Sequence, residues 1–113
     1  MEHELREDGG VTVLAPRGPI DVGHALELRD LIADRVGTPG ARLLLDLSEV
    51  TLIDSSAVGV FVTAHRQAEA SGAHFALASP VGPVGRVFEM TRTNKLLRIY
   101  PTVEDGLASL HSE

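Results

Sequence analysis

The spacing of apolar residues along the chain predicts alternating strands and helices. Residues 11–17 lie between Gly-Gly and Gly-Pro turns and read as a strand, and residues 3–7 are placed to pair with it as a hairpin. After Asp21, a preferred N-cap residue, apolar side chains recur at intervals of three or four positions, which predicts a helix. The apolar positions of this helix are Val22, Ala25, Leu28, Ile32 and Val36, and the segment from Gly37 to Gly40 is expected to end it.

An apolar run from Leu43 to Ile53 occupies the middle of the sequence. Its first leucines are interrupted only by Asp46, which is typical of a central strand covered on both faces. Residues 57–71 favour a helix that begins near Ala57, because alanine, glutamine and glutamate dominate their second half. The alternating valines of the first half would suit a strand equally well.

The last third of the chain continues the alternation of strand and helix. Residues 74–79 and 97–100 read as strands, residues 84–92 as a short helix, and residues 103–110 as a closing helix capped by Thr102. A hairpin followed by such alternation predicts an α/β fold. We expect a mixed, mostly parallel sheet of four to five strands packed against about four helices.

Length and charge limit the classes of function. A chain of 113 residues is expected to form one domain, spanning residues 1–113. The formal net charge of −6 argues against nucleic-acid binding, which depends on attraction to phosphates. The N-terminus lacks the pattern of a signal peptide, and the longest apolar stretch, residues 57–62, is too short to cross a bilayer. We therefore expect a cytoplasmic monomer without membrane insertion.

The tripeptide Asp54-Ser55-Ser56 lies where the central apolar run gives way to a predicted helix. Serine and aspartate are preferred N-caps, and the helix dipole favours a negative group at the same place, so a phosphoryl group on Ser56 would be tolerated. The alternative is that one of the two hydroxyls only caps the helix. Asp54 and Asp21 each have two open roles, as a cap or as a contact for a partner, and Asp21 is a candidate for the same edge of the sheet.

Other kinds of chemistry find little support in the sequence. A nucleophilic Ser56 would need a nearby base, but His65 lies about 13 Å further along the same predicted helix, and His24 is more simply explained as a surface residue. The five histidines show no metal-ligand spacing, and there is no nucleotide-binding loop. We therefore expect no enzymatic activity, no metal and no cofactor.

Three short signatures in this order resemble the STAS domain of bacterial anti-sigma factor antagonists. Gly-Pro-Ile-Asp at residues 18–21 is similar to the family's G-x-[LI]-D before its first helix. Residues 45–60 are similar to the strand that leads into D-S-[ST]-G-[LIV]-G, and residues 86–91 to R-[LV]-[FL]-[DE]-[ML]-[ST]. The resemblance covers nearly the whole chain and implies a STAS fold.

The resemblance implies a regulator that switches between partners. The unphosphorylated form of such a protein binds an anti-sigma factor that is also a serine/threonine kinase, which releases the sigma factor. Phosphorylation of the serine that maps to Ser56 ends the binding, and a serine phosphatase restores it. The implied partner-binding residues are Asp21, Asp54, Ser55, Ser56, Ala57, Val58 and Gly59.

Two reservations accompany this resemblance. Ala57 stands where the family usually has glycine, and its methyl group is expected to weaken docking or phosphorylation if the glycine allows close approach of the kinase. The rival hypothesis keeps the fold without the switch. In that case the chain is a fixed scaffold subunit of a lipid-transport or stress-sensing complex.

Overall fold

A computed structural model describes all 113 residues of the chain. The strands are β1 (His3–Asp8), β2 (Val11–Pro16), β3 (Gly18–Ile20), β4 (Arg42–Asp46), β5 (Val50–Ile53), β6 (His74–Ala78) and β7 (Ile99–Tyr100). The helices are α1 (Val22–Val36), α2 (Ser55–Ser71), α3 (Pro83–Met90) and α4 (Val103–His111), and a 3₁₀ turn covers Thr93–Lys95.

Five strands form the main sheet in the order β1-β2-β4-β6-β7. β1 and β2 form the predicted antiparallel hairpin, and its turn has Gly9 and Gly10 at positive φ, which glycine adopts without strain. The remaining neighbours pair in parallel, so helices must cross from the end of one strand to the start of the next. The predicted α/β fold, a mixed and mostly parallel sheet with four helices, is confirmed.

A second sheet of two short parallel strands was not predicted. The apolar run from Leu43 to Ile53 is divided between β4 and β5. β4 belongs to the main sheet, whereas β5 pairs with β3. The two strands pair with Ile20 opposite Ile53. β3 contains three residues that read as a turn in the sequence, and only its pairing with a distant strand makes it extended.

The helices bury apolar side chains on both faces of the main sheet. Leu43 and Leu45 lie in the larger core, together with apolar residues of α1, α2 and α3, whereas Leu44 lies in a smaller core with Leu110 of α4. Successive residues of a strand point to opposite faces, which accounts for this division. The larger core includes the rings of Phe61 and Phe88, whose centroids are 5.9 Å apart.

Most predicted boundaries agree with the structure to within three residues. The bounds of α1 are as predicted, but Val22, the first of its recurring apolar positions, is 73% exposed. α2 begins at Ser55 rather than near Ala57. Thr102 caps α4 as predicted, since its hydroxyl accepts a hydrogen bond from the backbone amide of Asp105 at 3.1 Å. No helix combines the length and the apolar character needed to span a bilayer.

Candidate functional site

Two helices begin side by side at one edge of the small sheet. Ile20 of β3 and Ile53 of β5 are partners in the parallel ladder, and each is followed by an aspartate, Asp21 or Asp54. Each aspartate is the N-cap of the helix that follows it. The expectation that Asp21 shares the edge occupied by Asp54 is therefore confirmed.

Asp54, rather than either serine, caps α2. Its Oδ1 accepts hydrogen bonds from the backbone amides of Ser56, at 2.9 Å, and Ala57, at 3.2 Å. Its backbone carbonyl accepts the first intrahelical bond, from the amide of Val58 at 3.2 Å. The hydroxyls of Ser55 and Ser56 form no hydrogen bond with another protein group, so neither is used by the fold. The alternative that a serine hydroxyl caps this helix is wrong.

Exposure varies sharply over the first turns of α2. Ser55 and Gly59 are exposed and Ser56 is partly exposed, whereas Ala57 is 0% and Val58 7% exposed. The Ser56 hydroxyl is therefore within reach of another protein. The methyl group of Ala57 lies in the larger core and not on the surface. The expected obstruction of a partner by that methyl group finds no support in this geometry.

Asp21 has a histidine neighbour that Asp54 lacks. Its Oδ1 accepts a hydrogen bond from the amide of Gly23 at 2.9 Å, and the Nδ1 atom of His24 lies 2.9 Å from the same oxygen. The contact with His24 lacks hydrogen-bond geometry, so it is an electrostatic contact whose strength depends on protonation of the imidazole. Asp54 takes part in no ion pair.

The surface of α1 adds residues that the sequence analysis did not assign to the site. Val22 is 73% and Leu26 63% exposed, and because they are four residues apart they lie on one side of the helix. Glu27 follows, and a hydrogen bond from the Met1 amino group, at 2.8 Å, lowers the pKa of its carboxyl. A signal for Leu26 was present, since it falls outside the apolar stripe of the helix.

No base is hydrogen-bonded to the hydroxyl of Ser56. Nε2 of His65 lies 3.2 Å from Oε1 of Glu69, toward the far end of α2. No group of three or more His, Cys, Asp or Glu side chains is arranged to hold a metal ion. None of the three surface cavities is lined by Asp54, Ser55 or Ser56. The site is therefore an open surface rather than a cavity.

A comparison with protein families agrees with this architecture. The family model described as the STAS domain matches residues 2–106. The chain belongs to the STAS domain family. This confirms the family indicated by the three sequence signatures.

Similar STAS proteins carry names that refer to sigma-factor regulation. A relative from Thermotoga neapolitana, provisionally named an anti-sigma factor antagonist, is 32% identical over 93% of this chain and 92% of its own length. The crystal structure of a protein with the same provisional name from Thermotoga maritima has a TM-score of 0.84 at 26% identity, and the match covers 96% of this chain and 93% of that one.

Two structures of the anti-sigma factor antagonist SpoIIAA share the fold of this chain at low sequence identity. Its unphosphorylated structure has a TM-score of 0.78 at 19% identity and covers 99% of this chain and 98% of its own. The phosphorylated Bacillus form has a TM-score of 0.69 at 18% identity, covering 96% of this chain and 99% of that one. At these identities the likeness concerns the STAS fold alone.

Proposed function

We propose that this STAS protein is an anti-sigma factor antagonist that changes partners through phosphorylation of Ser56. Unphosphorylated, the single domain binds an anti-sigma factor serine/threonine kinase, and the kinase then releases its sigma factor. Phosphorylation of Ser56 ends the binding, and a serine phosphatase reverses it. The names of the relatives, and the two phosphorylation forms of SpoIIAA, support this proposal. The chain acts as a cytoplasmic monomer, without direct nucleic-acid contact and without chemistry of its own.

The observation that carries the proposal is the state of the Ser56 hydroxyl. It lies at the start of a well-capped helix, is partly exposed, and forms no hydrogen bond within the protein. A kinase can therefore approach this hydroxyl. Phosphorylation of the hydroxyl removes no contact that stabilises the fold. Serines that hold a fold together have their hydroxyls bonded, because an unpaired buried polar group is costly.

The proposed docking surface consists of the adjoining starts of α1 and α2. Its exposed and partly exposed residues are Asp21, Val22, Leu26, Asp54, Ser55, Ser56 and Gly59. A pair of exposed apolar side chains beside two carboxylates fits a partner with an apolar patch next to basic side chains. Ala57 and Val58 contribute from the core, where they fix the position of the first turn of α2.

Phosphorylation adds about 1.5 to 2 negative charges at neutral pH. These charges would join Asp21 and Asp54 on the surface that docks. A partner surface that complements a neutral hydroxyl and two carboxylates would then have to accommodate additional negative charge. This charge would be desolvated in the interface without a compensating cation. The affinity falls for this reason, while the core remains as it is.

The test is a calorimetric titration of a candidate kinase with Ser56→Ala and Ser56→Asp. We expect Ser56→Ala to bind like the wild type and Ser56→Asp to bind at least about 30-fold more weakly, which corresponds to about 2 kcal/mol. Ser112→Asp is the control, since it adds the same charge at the end of α4, on the other face of the main sheet, and should bind like the wild type. Equal, tight binding of Ser56→Ala and Ser56→Asp would contradict the proposal and favour a fixed scaffold.

A further inference from the structure

We infer that Asp54 keeps a phosphoryl group on Ser56 away from the amides of the helix start, so that the phosphate stands outward as an anion beside a carboxylate. The inference rests on the proposed function, because it concerns the regulation of the same serine. It makes Asp54 a positioning residue for the phosphate. It also narrows the expectation that the helix start favours a negative group on Ser56.

The amides at the start of α2 account for this arrangement. A phosphate at a helix N-terminus is normally held by the first-turn amides that have no intrahelical acceptor. Here the amides of Ser56 and Ala57 are bonded to Oδ1 of Asp54, and the amide of Val58 is bonded to the Asp54 carbonyl. Only the amide of Ser55 lies outside these bonds, so a phosphate on Ser56 cannot be held by several amides without displacing the cap.

The charges near the site act in the same direction. Asp54 forms no ion pair, so its negative charge is not offset by a neighbouring cation. On the adjoining helix, Asp21 is negative and Glu27 is engaged by the Met1 amino group, while His24 contacts Asp21. A phosphate on Ser56 would therefore lie two residues from the unpaired carboxylate of Asp54, and Asp21 caps the helix that begins beside α2.

Two properties of the switch follow from this geometry. The first turn of α2 keeps its cap on phosphorylation, so the signal is a change of surface charge rather than a rearrangement of the backbone. The second ionisation of the phosphate is also less favourable than at an ordinary helix start, because a nearby carboxylate disfavours the doubly ionised form. The second ionisation of the phosphate thus reports directly on Asp54.

The experiment uses phosphoserine placed at position 56 during translation, so that no kinase is needed. The ³¹P resonance is followed through the second ionisation of the phosphate in otherwise wild-type protein and in the Asp54→Asn variant. Asparagine caps a helix as well as aspartate does, so this variant removes the charge and keeps the fold. Asp21→Asn is the matched control, since it makes the same change at the neighbouring cap.

We expect the midpoint of this ionisation to lie about 0.5 pH units or more lower in Asp54→Asn, because this variant lacks one negative charge close to the phosphate. Asp21→Asn should move it in the same direction by less. Added salt should shift the midpoint more in the protein that keeps Asp54 than in Asp54→Asn, since salt screens the negative charge of the carboxylate. The amide protons of Ser56 and Ala57 should keep their chemical shifts while the phosphate ionises.

Either of two results would overturn the inference. One is an equal midpoint with and without the Asp54 charge. The other is a large downfield movement of the Ser56 and Ala57 amide resonances, which would show that the phosphate has displaced the carboxylate. Both results leave the proposed function untouched. Conversely, failure of any kinase to modify Ser56 would contradict the proposed function without changing this titration.

Discussion

The two ends of α2 carry similar residues and use them in opposite ways. At the end of the helix, the hydroxyl of Ser71 lies 2.6 Å from the carbonyl oxygen of Val36 and 2.9 Å from that of Gln67, which ties α2 to the end of α1. At the start, the hydroxyls of Ser55 and Ser56 are bonded to nothing in the protein. The hydroxyl at the end of the helix therefore stabilises the fold, whereas the hydroxyls at its start remain free to react or to bind a partner.

The glycines of the two ends differ in the same manner. Gly72, which ends α2, has a φ of 75° and donates its amide to the carbonyl of Ala68, so the turn requires a residue that tolerates this conformation. Gly59 lies within the helix, and a Cβ added there would meet no atom within 4 Å. The fold requires Gly72 but not Gly59. The open space at Gly59 lies on the proposed docking surface.

The largest expected effect comes from filling the space at Gly59. Gly59→Leu should lower the affinity for the partner at least about 30-fold, or about 2 kcal/mol, because a side chain then occupies the space of close approach. The folded state should gain about 0.5–1 kcal/mol from the better helix propensity. Calorimetry and urea unfolding measure the two quantities. A stabilised variant with unchanged affinity would exclude Gly59 from the interface.

Ser71→Ala should have the next largest effect, and on folding alone. It removes a hydroxyl that is bonded to carbonyl groups at the junction of α1 and α2, which should cost about 1.5 kcal/mol in the free energy of unfolding. Urea unfolding measures this loss, with Ser55→Ala as the control that changes stability by less than about 0.5 kcal/mol. Equal stabilities of the two variants would remove the contrast between the ends of the helix.

Gly72→Ala tests the left-handed turn at the end of α2. Alanine in this conformation costs about 1 kcal/mol, and thermal unfolding should show a corresponding loss of stability. Partner affinity should stay within twofold of the wild type, because the turn is remote from Ser56. A loss of affinity greater than the loss of stability explains would place the partner at both ends of the helix.

The smallest expected effect is that of Asp54→Asn on stability. Asparagine preserves the hydrogen bonds to the amides of Ser56 and Ala57, so the free energy of unfolding should change by less than about 0.5 kcal/mol. Asp54→Ala loses them and should cost about 1 kcal/mol. If both variants unfold at the same urea concentration, the cap contributes nothing and the first turn is held by packing.

The sequence predicted elements that are stabilised locally. α1 has a strong cap and a regular apolar spacing, and both of its ends were predicted correctly because the signals lie within the helix itself. The hairpin of β1 and β2 is similarly local. The small sheet was missed, since β3 and β5 are short and become strands only by pairing across a long sequence separation.

At the candidate site, the sequence identified the residues but not their arrangement. Asp54, Ser55 and Ser56 were all plausible caps, and only the backbone geometry shows that the carboxylate of Asp54 takes this role. The burial of Ala57 depends on where α2 begins, which was predicted two residues too late. The exposure of Leu26 agrees with its place outside the apolar stripe, whereas that of Val22 depends on how α1 packs, which the spacing of apolar residues alone does not specify.

The most direct measurement of the central claim is the intact mass of the protein after incubation with a candidate anti-sigma factor kinase and ATP. The account predicts that the wild type and the Ser55→Ala and Ser71→Ala variants each gain the mass of one phosphoryl group, whereas Ser56→Ala gains none. Phosphorylation of Ser56→Ala to the wild-type level, or no phosphorylation of the wild type by a kinase that binds it, would contradict the account.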